Sequence, residues 1–193
     1  MAASTTLYTD RLLLRAAGPA LAEALADFHL RNAAHLAPWD PPSPPGFFDT
    51  EAVRERLALA GQAFEQGSGY RYLICLREAP DRVIGQCNFS QVSRGPFQNT
   101  ILGYSLDAQL QGQGLMAEGL RAGCAEMFSE RVRLHRIQAG VRPENARSRA
   151  TLLRLGFALE GHSKRYLFIN GAWRDHDLFA LLHPSWPDDQ PPA

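Results

Sequence analysis

Cysteine is scarce in this chain and follows no pattern. Cys75, Cys87 and Cys124 are the only three in 193 residues, an odd number without C-x-x-C spacing. A disulfide framework or zinc site is therefore not expected, and the three read as buried, inert thiols. The six histidines (His29, His35, His135, His162, His176, His183) form no H-E-x-x-H motif and no i, i+4 pair, so no metal is expected. Charge of one sign is missing too: Lys plus Arg total 20 and Asp plus Glu total 20. Without a basic excess to neutralise phosphates, direct nucleic-acid binding is not expected. No apolar run approaches the ~20 residues a membrane helix needs, and residues 1–10 lack the charged and apolar sections of a signal peptide, so a cytoplasmic protein with no membrane contact is expected. Apolar content of 45% over this length suits one packed domain, expected over residues 1–186. The Pro- and Asp-rich tail, 187–193, is expected to be disordered.

What the chain does have is a glycine-punctuated loop, Gln111-Gly112-Gln113-Gly114-Leu115-Met116-Ala117-Glu118, between a strand-like and a helix-like segment. The first N–H groups of a helix have no partner within it and carry the positive end of its dipole, so an anion held there gains several hydrogen bonds. A P-loop is excluded, because Leu115 and Met116 stand where Lys and Ser or Thr are needed. Gly112, Gly114 and Ala117 fit a G-x-G-x-x-A dinucleotide pattern, but the next strand-like run ends in Arg142-Pro143 rather than an acidic residue, which leaves that reading a minor one.

Periodicity and turn signals place the remaining elements. A strand is expected at 11–15, a helix at about 19–30, and a rigid irregular loop at 38–45, where five prolines surround Trp39. Asp49 or Thr50 caps a second helix with Val53, Leu57, Ala60 and Phe64 on one face, ending near Gly67. Runs at 70–77, 83–92 and 99–106 read as an antiparallel meander with turns at 78–81 and 94–96. After the loop come a helix presenting Leu120, Cys124, Met127 and Phe128, a strand at 135–141, and a short helix capped by Asn145 and ended by Gly156. Asn170-Gly171 is a type I′ hairpin signal joining 164–169 to 173–182.

Pro38-Trp39-Asp40-Pro41, Gly103-Tyr104-Ser105-Leu106-Asp107, the 111–118 loop, Leu134-His135-Arg136-Ile137, Pro143-Glu144-Asn145-Ala146-Arg147-Ser148 and Leu155-Gly156-Phe157 together resemble the GNAT superfamily of N-acetyltransferases. Residues 166–176 and Pro184-Ser185-Trp186 most resemble its ribosomal-protein-alanine (RimJ-like) branch. The resemblance implies an α/β (α+β) GNAT fold: a mixed, mostly antiparallel sheet with a central β-α-β crossover, helices on both faces, and strands 99–106 and 135–141 splayed around a cleft. It also implies acetyl-CoA as cosubstrate and the N-terminal alanine of a ribosomal protein as acceptor, with the enzyme acting as monomer or homodimer. Two other readings stay open: a small-molecule amine as acceptor, or a non-catalytic acyl-CoA-binding regulator.

On that resemblance, backbone N–H groups of Gln111, Gly112, Gln113, Gly114, Leu115 and Met116 hold the pyrophosphate. Met116 stands where the family usually has a small residue. Tyr104, Ser105 and Leu106 line the pantetheine arm and polarise the thioester carbonyl, and Asn145 contacts the arm. The superfamily's acid, often a Tyr seven residues after that Asn, is here Leu152. Ser148 is therefore the expected hydroxyl at the CoA sulfur. An α-amine ionises at about 7.7–8.0, so the base need not be strong; Glu160 and His35 are the side-chain candidates. Glu118 reads as first-turn helix charge. Trp39, Asn88, Tyr104, Tyr166 and Trp173 are expected around the acceptor, each also compatible with plain packing.

Overall fold

A computed structural model describes residues 5–187 of the chain. The tail expected to be disordered lies, apart from Pro187, outside the described residues. The chain begins with a short edge hairpin, β1 (Thr6–Tyr8) and β2 (Leu12–Ala16), and a 3-10 turn, Pro19–Leu21, that runs into α1 (Ala22–Leu36). After the proline loop come α2 (Thr50–Gln66), β3 (Tyr70–Leu76), β4 (Ala79–Ser93) and β5 (Asn99–Leu106). A second 3-10 turn, Ala108–Leu110, leads through the glycine loop to α3 (Leu115–Met127), β6 (Arg136–Val141), α4 (Ala146–Arg154), β7 (Ala158–Ile169) and β8 (Ala172–Leu182).

The eight strands form one sheet in the order β1-β2-β3-β4-β5-β6-β8-β7. Every neighbouring pair is antiparallel except β5 and β6, which the α3 crossover makes parallel. One face packs Leu73, Cys75 and Val83 against Leu25 and Phe28 of α1 and Val53 and Leu57 of α2. The other packs Leu12, Tyr72, Ile74, Cys87 and Phe89 against Leu120, Cys124 and Met127 of α3 and Leu152 of α4. All three cysteines are free and buried in these layers. Burial pushes each thiol pKa up, Cys124 to about 12, as expected of inert packing residues.

Several elements exceed their expected bounds. Helix α1 continues to Leu36 because its last turns carry cross-links: the Asn32 side chain donates to the Phe28 carbonyl (2.9 Å) and accepts from the Ala108 N–H (2.9 Å), and Arg31 pairs with Asp107 at 2.8 Å. Strand β4 starts at Ala79 rather than 83, with Pro80 at a strand beginning where no ladder donor is needed. Ile84 is the extra residue of a bulge between the Cys75–Val83 and Ile74–Gly85 pairs, and a Cβ at Gly85 would sit 2.7 Å from the Ser105 carbonyl, so only glycine fits the close approach to β5. Strand β7 begins at Ala158, six residues earlier than expected, running along β8 through two register shifts.

The parallel pair β5–β6 positions the site. Only Asn99, Thr100 and Ile101 face Arg136, Ile137 and Gln138. Beyond them β5 stays on β4 and β6 stays on β8, so the facing edges diverge and leave backbone unpaired between them. Asp107 fixes the exit of β5: buried, it accepts from Arg31 Nε (2.8 Å) and from the Gln109 N–H (3.1 Å) that opens the following turn. Burial alone would raise its pKa, but the Arg31 and Gln109 hydrogen bonds outweigh it and hold the carboxyl below the usual range.

Candidate active site

Two clefts open at the splay. The larger, about 540 Å³, runs from the glycine loop to the first turn of α4; the smaller, about 170 Å³, lies between β5 and β6 and reaches His176 on β8. Trp39, Asp40, Tyr104, Asn145 and Ser148 line both.

At the outer end of the larger cleft, Gly112 and Gly114 both take the left-handed conformation, φ 77°. L-residues rarely adopt it, so the turn depends on glycine. Helix α3's own ladder starts with the Glu118 N–H donating to the Gly114 carbonyl (3.1 Å), which leaves the preceding N–H groups of Leu115, Met116 and Ala117 ahead of it. Met116, long where the family has a small residue, is buried in the core below α3. Gln111 is held from two sides: its amide nitrogen is 2.7 Å from His35 Nε2, and its oxygen accepts from Arg147. With Arg147 and Arg154 both on the wall, this end suits a phosphate-bearing ligand.

Glu118 does more than balance a helix dipole. It accepts from the Thr9 hydroxyl (2.6 Å), the Arg11 N–H (2.9 Å) and Arg11 Nε (2.7 Å), while Arg11 Nη1 donates to the Gln113 carbonyl (3.0 Å). The β1–β2 turn is thereby clasped to the loop, and Gln113 points its carbonyl at Arg11 rather than lining the cleft. Burial works to raise the Glu118 pKa, yet the Thr9 and Arg11 hydrogen bonds prevail and lower it.

At the inner end, Asn145 caps α4 by accepting from the Ser148 N–H (3.1 Å), which sets Ser148 one turn along, facing β5. The Tyr104 hydroxyl lies 2.6 Å from Ser148 Oγ and 3.1 Å from the Ser148 carbonyl. Burial chiefly pushes the phenol up to about 12, against the opposing pull of the Ser148 hydrogen bond, so Tyr104 keeps its proton. Either hydroxyl can donate across that contact, and in the arrangement where the phenol's one proton points to the serine side the Ser148 Oγ–H is free for an acceptor in the cleft. Leu152 is buried in the core and takes no part.

Four expected residues lie elsewhere. Glu160, a candidate base, is ion-paired with Arg136 and lines neither cleft, because the early start of β7 carries it away from the splay. Trp173 sits 60% exposed on the final hairpin against Phe168, and Asn88 faces Gly103 across the β4–β5 ladder without lining either cleft. Tyr166 packs behind His176 with ring centroids 5.4 Å apart, one layer outside the smaller cleft. His35 is at the loop end, where it orients Gln111 rather than an acceptor. Trp39 and Tyr104 do line the smaller cleft, Trp39 held there by Arg142, which stacks over its ring and donates to the Pro38 carbonyl (2.6 Å). The roles of Arg147 and Asp40 went unread: Arg147 follows Asn145 in a motif dominated by its neighbours, and Asp40 stood in a run read for its prolines, for Trp39 and for the family resemblance.

The family model described as an acetyltransferase (GNAT) domain matches residues 11–158. The chain belongs to the GNAT acetyltransferase family. As such it is an acyltransferase with the mixed α+β GNAT sheet, splayed between β5 and β6. Among its relatives, the [ribosomal protein uS5]-alanine N-acetyltransferase of Escherichia coli (strain K12) is 40% identical over 181 residues, spanning 93% of this chain and 92% of the relative. The ribosomal-protein-S5-alanine acetyltransferase of Vibrio fischeri superposes with a TM-score of 0.89 at 32% identity, covering 95% of this chain and 99% of that one. RimJ of Mycobacterium smegmatis in complex with CoA-disulfide gives a TM-score of 0.76 at 31% identity, over 92% of this chain and 84% of that one. Among the described residues no cluster of three His, Cys, Asp or Glu side chains could hold a metal, and no helix is long and apolar enough to cross a membrane.

Proposed function

We propose that this chain moves an acetyl group from acetyl-CoA to the α-amine of an N-terminal alanine, with the ribosomal protein uS5 as its target, in the cytoplasm and as a single domain over residues 1–186. The observation that carries the reading is the junction of two clefts at the Tyr104–Ser148 pair, since a transferase needs donor and acceptor to approach one point from different sides. The larger cleft takes acetyl-CoA: Gly112 to Met116 offer N–H groups to the pyrophosphate, Arg147 and Arg154 add charge, and the free edge of β5 from Tyr104 to Leu106 pairs with the pantetheine amides. The smaller cleft takes the peptide terminus, and its size favours a small first side chain. The 40% identity to a uS5-alanine enzyme over nearly the whole of both chains supports the acceptor.

In the reaction, backbone N–H groups at the splay draw charge onto the thioester oxygen, and Ser148, backed by Tyr104, gives its proton to the departing sulfur. Incubating the protein with acetyl-CoA and unmodified uS5 tests the reading by mass spectrometry. An acetyl group confined to the N-terminal alanine supports it; acetylation at lysine side chains, or of free small amines only, overturns the acceptor.

A further inference from the structure

Of the five residues that line both clefts, four are neutral and one is charged near neutral pH: Asp40. We propose that Asp40 is the catalytic base, its carboxylate receiving the acceptor's α-ammonium where the clefts meet and taking a proton from it. The proposal rests on the α-amine acetyltransfer argued above and adds the group that reading lacks.

Position is the first argument. A base must reach the nitrogen where it meets the thioester, and only residues shared by the donor and acceptor clefts stand at that point. The second is the absence of a competing partner: among the described residues the Asp40 carboxylate has neither an ion pair nor a hydrogen bond, whereas neighbouring charges are engaged. Arg142 binds the Pro38 carbonyl and lies 3.3 Å from Glu144, Arg147 binds Gln111, and His35 also contacts Gln111. His176 places Nδ1 3.1 Å from the Arg174 carbonyl, and burial lowers its pKa, so it stays neutral. Arg154 faces the outer end of the larger cleft and Glu144 lines that cleft only, so neither stands at the junction. The third is a held backbone: the N–H groups of Trp39 and Asp40 both donate to the Leu36 carbonyl, at 2.8 and 3.1 Å, and Pro41 and Pro42 follow. Asp40 is open to the cleft, yet the surrounding walls exclude enough water to raise its pKa, bringing it nearer to that of the amine it serves.

The protons balance. The ammonium gives one proton to Asp40, which holds it through the attack and releases it to solvent through the open cleft as the products leave. The neutral nitrogen then bonds to the thioester carbon; as the C–S bond breaks, Ser148 Oγ–H protonates the sulfur. The second proton leaving the nitrogen restores the serine hydroxyl through the Tyr104–Ser148 pair. Products are the amide, the free thiol and one released proton.

The test compares wild type with Asp40→Asn and Asp40→Glu over pH 6 to 9, using an Ala-initial peptide and, as second acceptor, alanine amide. Wild type uses the ammonium form, whereas Asp40→Asn must wait for amine already neutral in solution, with a pKa of about 7.7–8.0. Expected is a kcat/KM loss of roughly 10²-fold at pH 6.5, shrinking as pH rises past 8, with partial recovery in Asp40→Glu. Acetyl-CoA affinity and Tm should stay at wild-type values; if Asp40→Asn does not fold, Asp40→Ser gives the same comparison. An Asp40 variant that folds and keeps the wild-type rate and pH profile overturns Asp40 alone. Wild type active on alanine amide but not on the peptide overturns the peptide acceptor while Asp40 is still read with the amide. No turnover of either amine by wild type overturns both.

Discussion

Tyr104 and Ser148, 44 residues apart in the chain, place their hydroxyl oxygens 2.6 Å from each other at the point where β5 leaves β6. If this pair protonates the leaving sulfur, Ser148→Ala should lower kcat by roughly 10²-fold while the dissociation constant for acetyl-CoA stays nearly unchanged. Tyr104→Phe should cost less, since Ser148 keeps its own hydroxyl. Steady-state kinetics beside calorimetric binding separate the two effects; equal losses in affinity and rate would make Ser148 a binding residue only.

The glycine loop should be sensitive to a single methyl group. Gly112 has no atom within 4 Å of an added Cβ, so Gly112→Ala meets no steric clash and reports only on its φ of +77°. That strain is worth roughly 1–2 kcal/mol. Acetyl-CoA affinity is expected to fall about tenfold, as the loop relaxes from the anion-binding shape, with kcat at saturation less affected. Unchanged affinity would show that the pyrophosphate is held elsewhere.

The Glu118–Arg11 clasp has a pH signature. The folded carboxyl has a lowered pKa, so its contribution is fully present above the unfolded value, about 4.3, and is lost as pH falls through the lower folded value. Glu118→Gln should therefore lower Tm at neutral pH and converge on wild type in acid. Thermal melts from pH 7 to pH 3 check this, and a gap that widens in acid would contradict it.

Asp107 ties the end of β5 to α1 through Arg31, and the pair is largely buried. Asp107→Ala removes the acceptor of Arg31 Nε, leaving the guanidinium with Asp27 and the Val83 carbonyl, and a loss of roughly 1.5–3 kcal/mol in chemical denaturation is expected. A loss no larger than for a surface substitution would show that the tie is not structural.

Local chemistry was legible in the chain and long-range partnership was not. Two glycines before an apolar helix announce a left-handed turn, Asn145 announces a cap three residues before Ser148, and Asn170-Gly171 announces a hairpin; each signal is complete within a few residues. Glu160 was misplaced because its partner Arg136 lies on a strand that is not its neighbour in sequence. The reach of α1 to Leu36 depends on Asp107 and Ala108, over seventy positions away, which no periodicity reports. Aromatic residues were the poorest guides: Trp39 stands at the site and Trp173 on the outer hairpin, and neither the proline loop around one nor the hairpin turn before the other reports which faces a cleft.

The central claim, acetyl transfer to a peptide α-amine, is tested most directly by following thiol release from acetyl-CoA in the presence of a synthetic peptide with an N-terminal alanine and of the same peptide with that terminus blocked. Release with the free terminus and none with the blocked one is the predicted result. Equal release with both peptides, or none with either while acetyl-CoA still binds, would contradict it.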